Sequence, residues 1–352
     1  MGTLISLLVL SFLIFFHELG HFLAARFFGV HVEVFSIGFG KKVFSKVYGN
    51  TEYALSLIPL GGYVKMKGQD DTDPTKVSFD EDSYNVKKPW QRVIILLAGP
   101  FANFLLAFLL YIAIANIGVT KFAPYIGQVS ANSPALQSGI KSGDEILSIN
   151  NTEIKTWDDL SQKIRKSDNT LLFKIKRGDK ILELKIKPKI HTYKNMFGET
   201  LKKKMVGISP KGETIVVKYS LLQSIPFALE ETKNATTMIV KGLQKLVEGV
   251  VSPKELGGIV SIVQVTAKAS AIGIVALFGL TALISVNLGV LNLLPIPALD
   301  GGHIMFNLYE MVTKRAPNEK VIYYLTLTGW AFLLSLMAFT VFNDIYRIAG
   351  GN

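Results

Sequence analysis

Four stretches of this 352-residue chain, 3–28, 93–119, 271–294 and 321–342, are apolar and long enough to cross a bilayer. The hydrocarbon layer measures roughly 30 Å, a distance that takes about 20 helical residues. Inside lipid every backbone N–H and C=O needs a partner, and a helix supplies them all within one segment. Composition agrees: 49% of the residues are hydrophobic and only 18% are charged, which points away from an ordinary soluble enzyme. The opening run, 1–16, passes directly into His17-Glu18 instead of a small-residue cleavage site, so it reads as a retained span and not as a signal peptide.

The formal net charge of +11 is concentrated in one block. Residues 120–268 hold 24 Lys/Arg against 14 Asp/Glu, whereas the rest of the chain holds 14 against 13. The block contains no arginine-rich helix and no ladder of stacking aromatics, so it suits anionic lipid head groups or plain solubility and not nucleic acid. Cysteine is absent, so any metal must be held through nitrogen and oxygen.

Between the first two spans, 30–66 alternates apolar and polar residues with glycine turns, which predicts short strands in a sheet lying against the membrane. The polar, acid-rich stretch 69–88 reads as a solvated linker. Residues 125–188 follow a strand, turn, helix, strand pattern, with strands at 126–129, 171–177 and 180–187 and a helix near 157–165. The run Gly139-Ile140-Lys141-Ser142-Gly143-Asp144-Glu145-Ile146-Leu147-Ser148-Ile149-Asn150 within it resembles a PDZ domain in the bacterial strand order. In 221–250 the apolar residues Met238, Ile239, Leu243, Leu246, Val247 and Val250 face away from Lys241 and Lys245, as in a helix lying in the membrane interface. The expected fold is therefore a multi-pass α-helical membrane protein with four transmembrane helices, a membrane-associated β region and one inserted α/β PDZ domain. Its divisions fall at 1–119, 120–190, 191–268 and 269–352.

His17-Glu18-Leu19-Gly20-His21 is an H-E-x-x-H motif. On a helix the two imidazoles lie one turn apart on one face and can reach a single zinc, with Glu18 beside the metal-bound water. Ionisable side chains in an apolar span cost about 2.5–3.5 kcal/mol each near its centre, which marks them as functional. A hydrolytic zinc normally takes three protein ligands and keeps one position open. Asp300 is the leading third ligand, because it ends the charge-free run 269–299 and precedes Gly301-Gly302, where backbone can approach closely. Parity of the spans brings Asn292 and Asp300 of the third, and Gly99, Pro100 and Asn103 of the second, to the same leaflet as His17. His303 reads as a polar residue at the water boundary and not as a fourth ligand, and His31 and His191 fall in loops with no assigned role.

Together with Gly99-Pro100-Phe101-Ala102-Asn103 and Asn292-Leu293-Leu294-Pro295-Ile296-Pro297-Ala298-Leu299-Asp300-Gly301-Gly302, the His-Glu-Leu-Gly-His motif resembles the site-2 protease family of intramembrane metalloproteases. The nearest branch is the PDZ-containing bacterial regulators of sigma-factor stress proteolysis. The resemblance covers nearly the whole chain, but well-studied members of that branch carry two tandem PDZ domains and this sequence shows one. It implies one zinc held by His17, His21 and Asp300, with Glu18 as general base. It implies that Asn287 and Asn292 touch the substrate backbone, and that the stretch with Gly61, Gly62, Tyr63 and Val64 lies in the membrane-associated β element. The activity implied is regulated intramembrane proteolysis of single-span membrane proteins, of the anti-sigma-factor or signal-peptide-remnant kind. A strand edge and side-chain amides could replace the helical hydrogen bonds that such a substrate gives up.

For the PDZ region two readings stand. Backbone amides around Tyr125, Ile126 and Gly127 could hold a substrate C-terminus, or the domain could act as a size filter. Lys314, Arg315 and Lys320 after the third span favour the cytoplasm on that side, which puts the PDZ domain and both termini outside it, in a bacterial inner membrane. The competing classes are a non-catalytic membrane-tethered PDZ scaffold, which leaves the His17, Glu18, His21 and Asp300 pattern unexplained, and a transporter, for which internal repeats are missing.

Overall fold

The computed structural model describes residues 2–69, 78–195 and 198–350. Two compact units emerge, one built from the chain up to Ile114 and from Leu221 onward, the other from Ala115–Ser220. Four helices among the described residues are long and apolar enough to cross a membrane: Gly2–Phe27, Pro89–Ile117, Ile274–Asn292 and Glu319–Ile348.

The chain begins with α1 (Gly2–Phe27) and continues into two long antiparallel strands, β1 (Val32–Tyr48) and β2 (Thr51–Met66). Both strands bend, so they pair as four segments. Residues 32–37 lie between 62–66 on one side and 52–55 on the other, while 42–48 pair only with 51–56. Gly38 (φ +90°) makes the bend possible, since a Cβ there would stand 2.8 Å from Ile58 O and 2.9 Å from Ser56 O. Segment 62–66 is consequently an edge of the sheet. Of the expected linker 69–88, residues 70–77 lie outside the described residues, and the remainder contains a short 3-10 turn at Tyr84–Val86.

Helix α2 (Pro89–Ile117) starts on a proline, whose missing N–H costs nothing at a first helical position. It packs antiparallel on α1 with backbones in close approach: a Cβ on Gly20 would stand 2.2 Å from Ala98 O and 2.9 Å from Ala102 Cβ.

The second unit runs β3 (Val119–Phe122), β4 (Ile126–Val129), α3 (Pro134–Gln137), β5 (Glu145–Ile149), β6 (Thr152–Glu153), α4 (Trp157–Lys166), β7 (Leu171–Arg177), β8 (Lys180–Ile186), β9 (Lys189–Lys194), β10 (Thr200–Met205), β11 (Ile208–Pro210) and β12 (Thr214–Val217). Its four-stranded sheet has the order β6-β5-β7-β8. Ile126, Ile146, Ile149, Leu160, Phe173 and Ile175 form the centre of its core. A reciprocal cap opens α4, where Asp159 N–H donates to Thr156 Oγ1 (3.2 Å) and Thr156 N–H to Asp159 Oδ2 (2.9 Å). The strands and helix expected in 125–188 are all present. The stretch after 190, expected as linker, instead returns to this unit: β11 pairs with β4 and β12 with β3. Such pairing is invisible to local pattern, because the partners are far apart in sequence; Gln128 N–H reaches Ser209 Oγ across 81 positions.

Helix α5 (Leu221–Val247) re-enters the first unit as the expected amphipathic helix, followed by α6 (Ile259–Ile272), α7 (Ile274–Asn292), α8 (Asp300–Thr313) and α9 (Glu319–Ile348). The expected third span, 271–294, is present as α7, and the expected division at 269 meets a helix that the sequence reading did not separate from it. Gly273, at φ +142°, breaks the apolar run into α6 and α7, and 269 falls inside α6. α6 lies antiparallel on α1, with Ser6 Oγ donating to Val263 O at 2.9 Å. α7 lies against α2, where Ser285 Oγ donates to Asn103 O at 2.8 Å. The carboxylate of Asp344 on α9 accepts from the N–H groups of Gly258 (3.1 Å) and Ser261 (2.9 Å), capping α6 from a neighbouring helix.

Candidate metal centre

His17 and His21 stand one turn apart on α1, and Asp300 is the first residue of α8. Some 280 positions of sequence are closed by the packing of α1, α2, α7 and α8. The two Nε2 atoms are 3.2 Å apart, and Asp300 Oδ2 lies 3.3 Å from that of His17 and 3.4 Å from that of His21. Three donor atoms thus form a nearly equilateral triangle. Ligands about 2.0–2.1 Å from a tetrahedral zinc are separated by about 3.3–3.4 Å, so the triangle has the size of one face of that tetrahedron. Asp300 Oδ2 is buried with no hydrogen-bond partner, although buried polar atoms are nearly always satisfied. A divalent cation bound by all three atoms removes that anomaly. The donor set, nitrogen and oxygen only, fits zinc.

Each ligand is held from behind. His21 Nδ1 lies 2.9 Å from Ile95 O, and His17 Nδ1 lies 3.1 Å from the side-chain amide of Asn103, both on α2. Asp300 is placed by the turn at 293–299 and by the two glycines after it. A Cβ on Gly301 would stand 2.2 Å from Leu294 O, and one on Gly302 would stand 2.4 Å from Ile296 O. The start of α8 can therefore tuck beneath the turn, and its N-terminal dipole favours a carboxylate. Further along α8, Glu310 is bound by Arg92 of α2 at 2.7 Å.

The triangle opens onto a cavity of about 480 Å³ lined by His17, Glu18, His21 and Asp300, by Asn292 and His303, and by residues 62–66 of β2. Of the residues singled out by sequence, Gly62, Tyr63, Val64 and Asn292 are brought to it, whereas Gly61 and Asn287 do not line it. Asn287 lies on α7 more than one turn before Asn292. Gly62 brings the strand against Glu18: a Cβ there would stand 3.1 Å from Glu18 Cγ. His303 lines the cavity and lies outside the group formed by His17, His21 and Asp300.

Sequence reasoning missed Trp330 of α9 as a lining residue and left Ile95 unmentioned. The signal for Trp330 was the small residue before it: Gly329 packs against the turn, and a Cβ there would stand 2.8 Å from Ala298 N. Of the expected carboxylate-binding amides at Tyr125, Ile126 and Gly127, that of Ile126 is already engaged. Ile126 N–H donates to Asp144 O, Ile126 O accepts from Gly143 N–H, and Tyr125 O accepts from Lys211 N–H. A Cβ on Gly127 would stand 2.4 Å from Pro210 O, so strand β11 already covers this backbone.

Two imidazoles on one helical turn and a distant carboxylate form the donor set of a zinc metallopeptidase, with a glutamate adjoining, here set among helices apolar enough to cross a membrane. The chain belongs to peptidase family M50, the site-2 protease family, whose description "Peptidase family M50" matches residues 5–336. It is 50% identical over 347 residues to a Campylobacter jejuni protein named "Putative zinc metalloprotease Cj1068", covering 99% of this chain and 94% of that one. A similarly named Helicobacter pylori protein is 42% identical over 352 residues, covering 98% and 99% of the two chains. Among solved structures, the PDZ domain of an SdrC-like protein from Listeria monocytogenes is similar to 26% of this chain and 90% of its own length, at 23% identity and a TM-score of 0.21.

Proposed function

We propose that this zinc metalloprotease hydrolyses peptide bonds within membrane-spanning segments of other membrane proteins. The observation that carries the reading is the His17, His21 and Asp300 triangle, built between helices apolar enough to lie in lipid and facing a sheet edge. Zinc, when bound, supplies Lewis acidity and lowers the pKa of a water to about 7. Glu18 takes the proton from the attacking water and returns it to the leaving amine. Residues 62–66 pair with 32–37 along one edge, and among the described residues no strand pairs with the other. An unwound substrate can add there as a further strand, gaining the backbone partners it loses on leaving its helix. The Asn292 amide, on the cavity wall, offers one more such partner.

The substrates on this reading are single-span membrane proteins, processed in a bacterial inner membrane with the metal centre toward the cytoplasmic leaflet. The second unit is read as one extracytoplasmic PDZ domain. With the Ile126 N–H already donating to Asp144 O, a role as a size filter is favoured over capture of a C-terminus at that amide.

Glu18→Gln tests the reading. The variant is expected to retain zinc and to lose at least about 100-fold in cleavage, in line with removal of a general base. Cells carrying it should accumulate single-span membrane remnants that the active enzyme clears. Full cleavage by Glu18→Gln, or accumulation of soluble substrates alone, would refute the proposal.

A further inference from the structure

The face of α2 turned toward α1 carries Ile95, Gly99 and Asn103, four residues apart, opposite a histidine pair that is also four apart. Ile95 O lies 2.9 Å from His21 Nδ1, Gly99 leaves room for the His21 ring, and the Asn103 amide lies 3.1 Å from His17 Nδ1. Asn103 is completely buried. Its backbone carbonyl is engaged by Ser285 Oγ, which fixes the residue from the α7 side and leaves the side chain to face His17. We infer that Asn103 is a positioning residue for the metal centre, orienting the His17 imidazole so that Nε2 points at the zinc.

An imidazole that binds metal through Nε2 carries its proton on Nδ1, and that N–H needs an acceptor. A side-chain amide has one acceptor end and one donor end of nearly equal size. With Nδ2 toward His17, Asn103 Oδ1 is buried without a hydrogen-bond partner. Turning the amide over brings Oδ1 to His17 Nδ1–H and gives that oxygen its partner. His21 has the equivalent acceptor in a backbone carbonyl, so α2 supplies one acceptor for each histidine.

The inference rests on His17, His21 and Asp300 being the zinc ligands, and the experiment separates the two claims. Zinc affinity of the full chain in detergent is measured by competition with a chromogenic chelator for the wild type, Asn103→Leu, Asn103→Asp and His17→Ala. Asn103→Leu, close in volume but without an acceptor, is expected to weaken zinc binding about 10–100-fold, as loss of such an outer partner does. Asn103→Asp keeps an acceptor and is expected to bind zinc at least as tightly as the wild type. If Asn103 served only to pack α2 on α1, the order would reverse, because a buried carboxylate would disturb that packing more than leucine. Wild-type affinity in Asn103→Leu, or weaker binding by Asn103→Asp than by Asn103→Leu, overturns the inference alone, provided His17→Ala loses zinc. Retention of zinc by His17→Ala overturns the ligand assignment, and this inference with it. Should Asn103→Leu fail to fold, Asn103→Ala is read in the same competition, with the same expectation and the same overturning result.

Discussion

Gly99 of α2 and His21 of α1 are in such close contact that a Cβ on Gly99 would stand 2.2 Å from His21 Nε2, the atom that faces the metal position. The absence of a side chain at position 99 is therefore part of the site. Gly99→Ala should push the imidazole out of the triangle. The expected result is weaker zinc binding together with a loss of about 100-fold in kcat/KM, the scale that small misplacements of catalytic groups produce. Unchanged zinc affinity in that variant would contradict the packing described here.

Gly62 plays the corresponding part for the base. A Cβ at that position would meet Ser36 O at 2.8 Å, Ile14 Cγ2 at 2.9 Å and Glu18 Cγ at 3.1 Å. Gly62→Val should move the strand edge away from Glu18 while the three ligands keep their positions. Full zinc occupancy is expected, with kcat/KM reduced by about 10–100-fold through misalignment of substrate and base. Loss of zinc would mean that the edge strand supports the metal and not the substrate.

In the second unit the Asp144 carboxylate is buried and accepts from Arg177 Nε at 2.7 Å, Arg177 Nη2 at 2.8 Å and Lys141 N–H at 2.8 Å. The hydrogen bond to Asp144 holds the Arg177 pKa above its ordinary value, so the basic partner remains charged at every accessible pH. A raised folded pKa contributes stability that is fully present below the unfolded value and is lost only as pH rises through the folded one, beyond any accessible pH. Arg177→Ala leaves a buried carboxylate with only the Lys141 amide. The cost should be about 3 kcal/mol, the lower end for an orphaned buried charge. Thermal unfolding followed by fluorescence of Trp157, which packs on this core, reads the loss, and in the wild type the Arg177 contribution should not change between roughly pH 6 and 10.

The residues of the candidate metal centre were legible because each announces itself locally. His17, Glu18 and His21 break an apolar span at helical spacing, and Asp300 closes a long charge-free run ahead of two glycines. The spans were legible for the same reason, since hydrophobic length needs no knowledge of partners. What escaped was fixed by contacts between distant segments. Gly273 reads as one more small residue in an apolar run, and only its φ of +142° ends a helix there. Strands β11 and β12 carry little pattern of their own and are defined by pairing with β4 and β3. Asn103 could be assigned to the level of His17 from sequence, yet its position 3.1 Å from His17 Nδ1 depends on the antiparallel register of α1 and α2. Asn287 was carried over from the family resemblance, and the structure brings Asn292 but not Asn287 to the cavity.

The central claim is that two histidines of the first helix and a carboxylate nearly 280 positions later grip one ion. Elemental analysis of purified full-length chain tests it most directly, comparing the wild type with Asp300→Ala after equilibration against a weak chelator. One zinc per chain in the wild type and a large loss in Asp300→Ala is the predicted result. Equal zinc content in the two proteins would contradict the account.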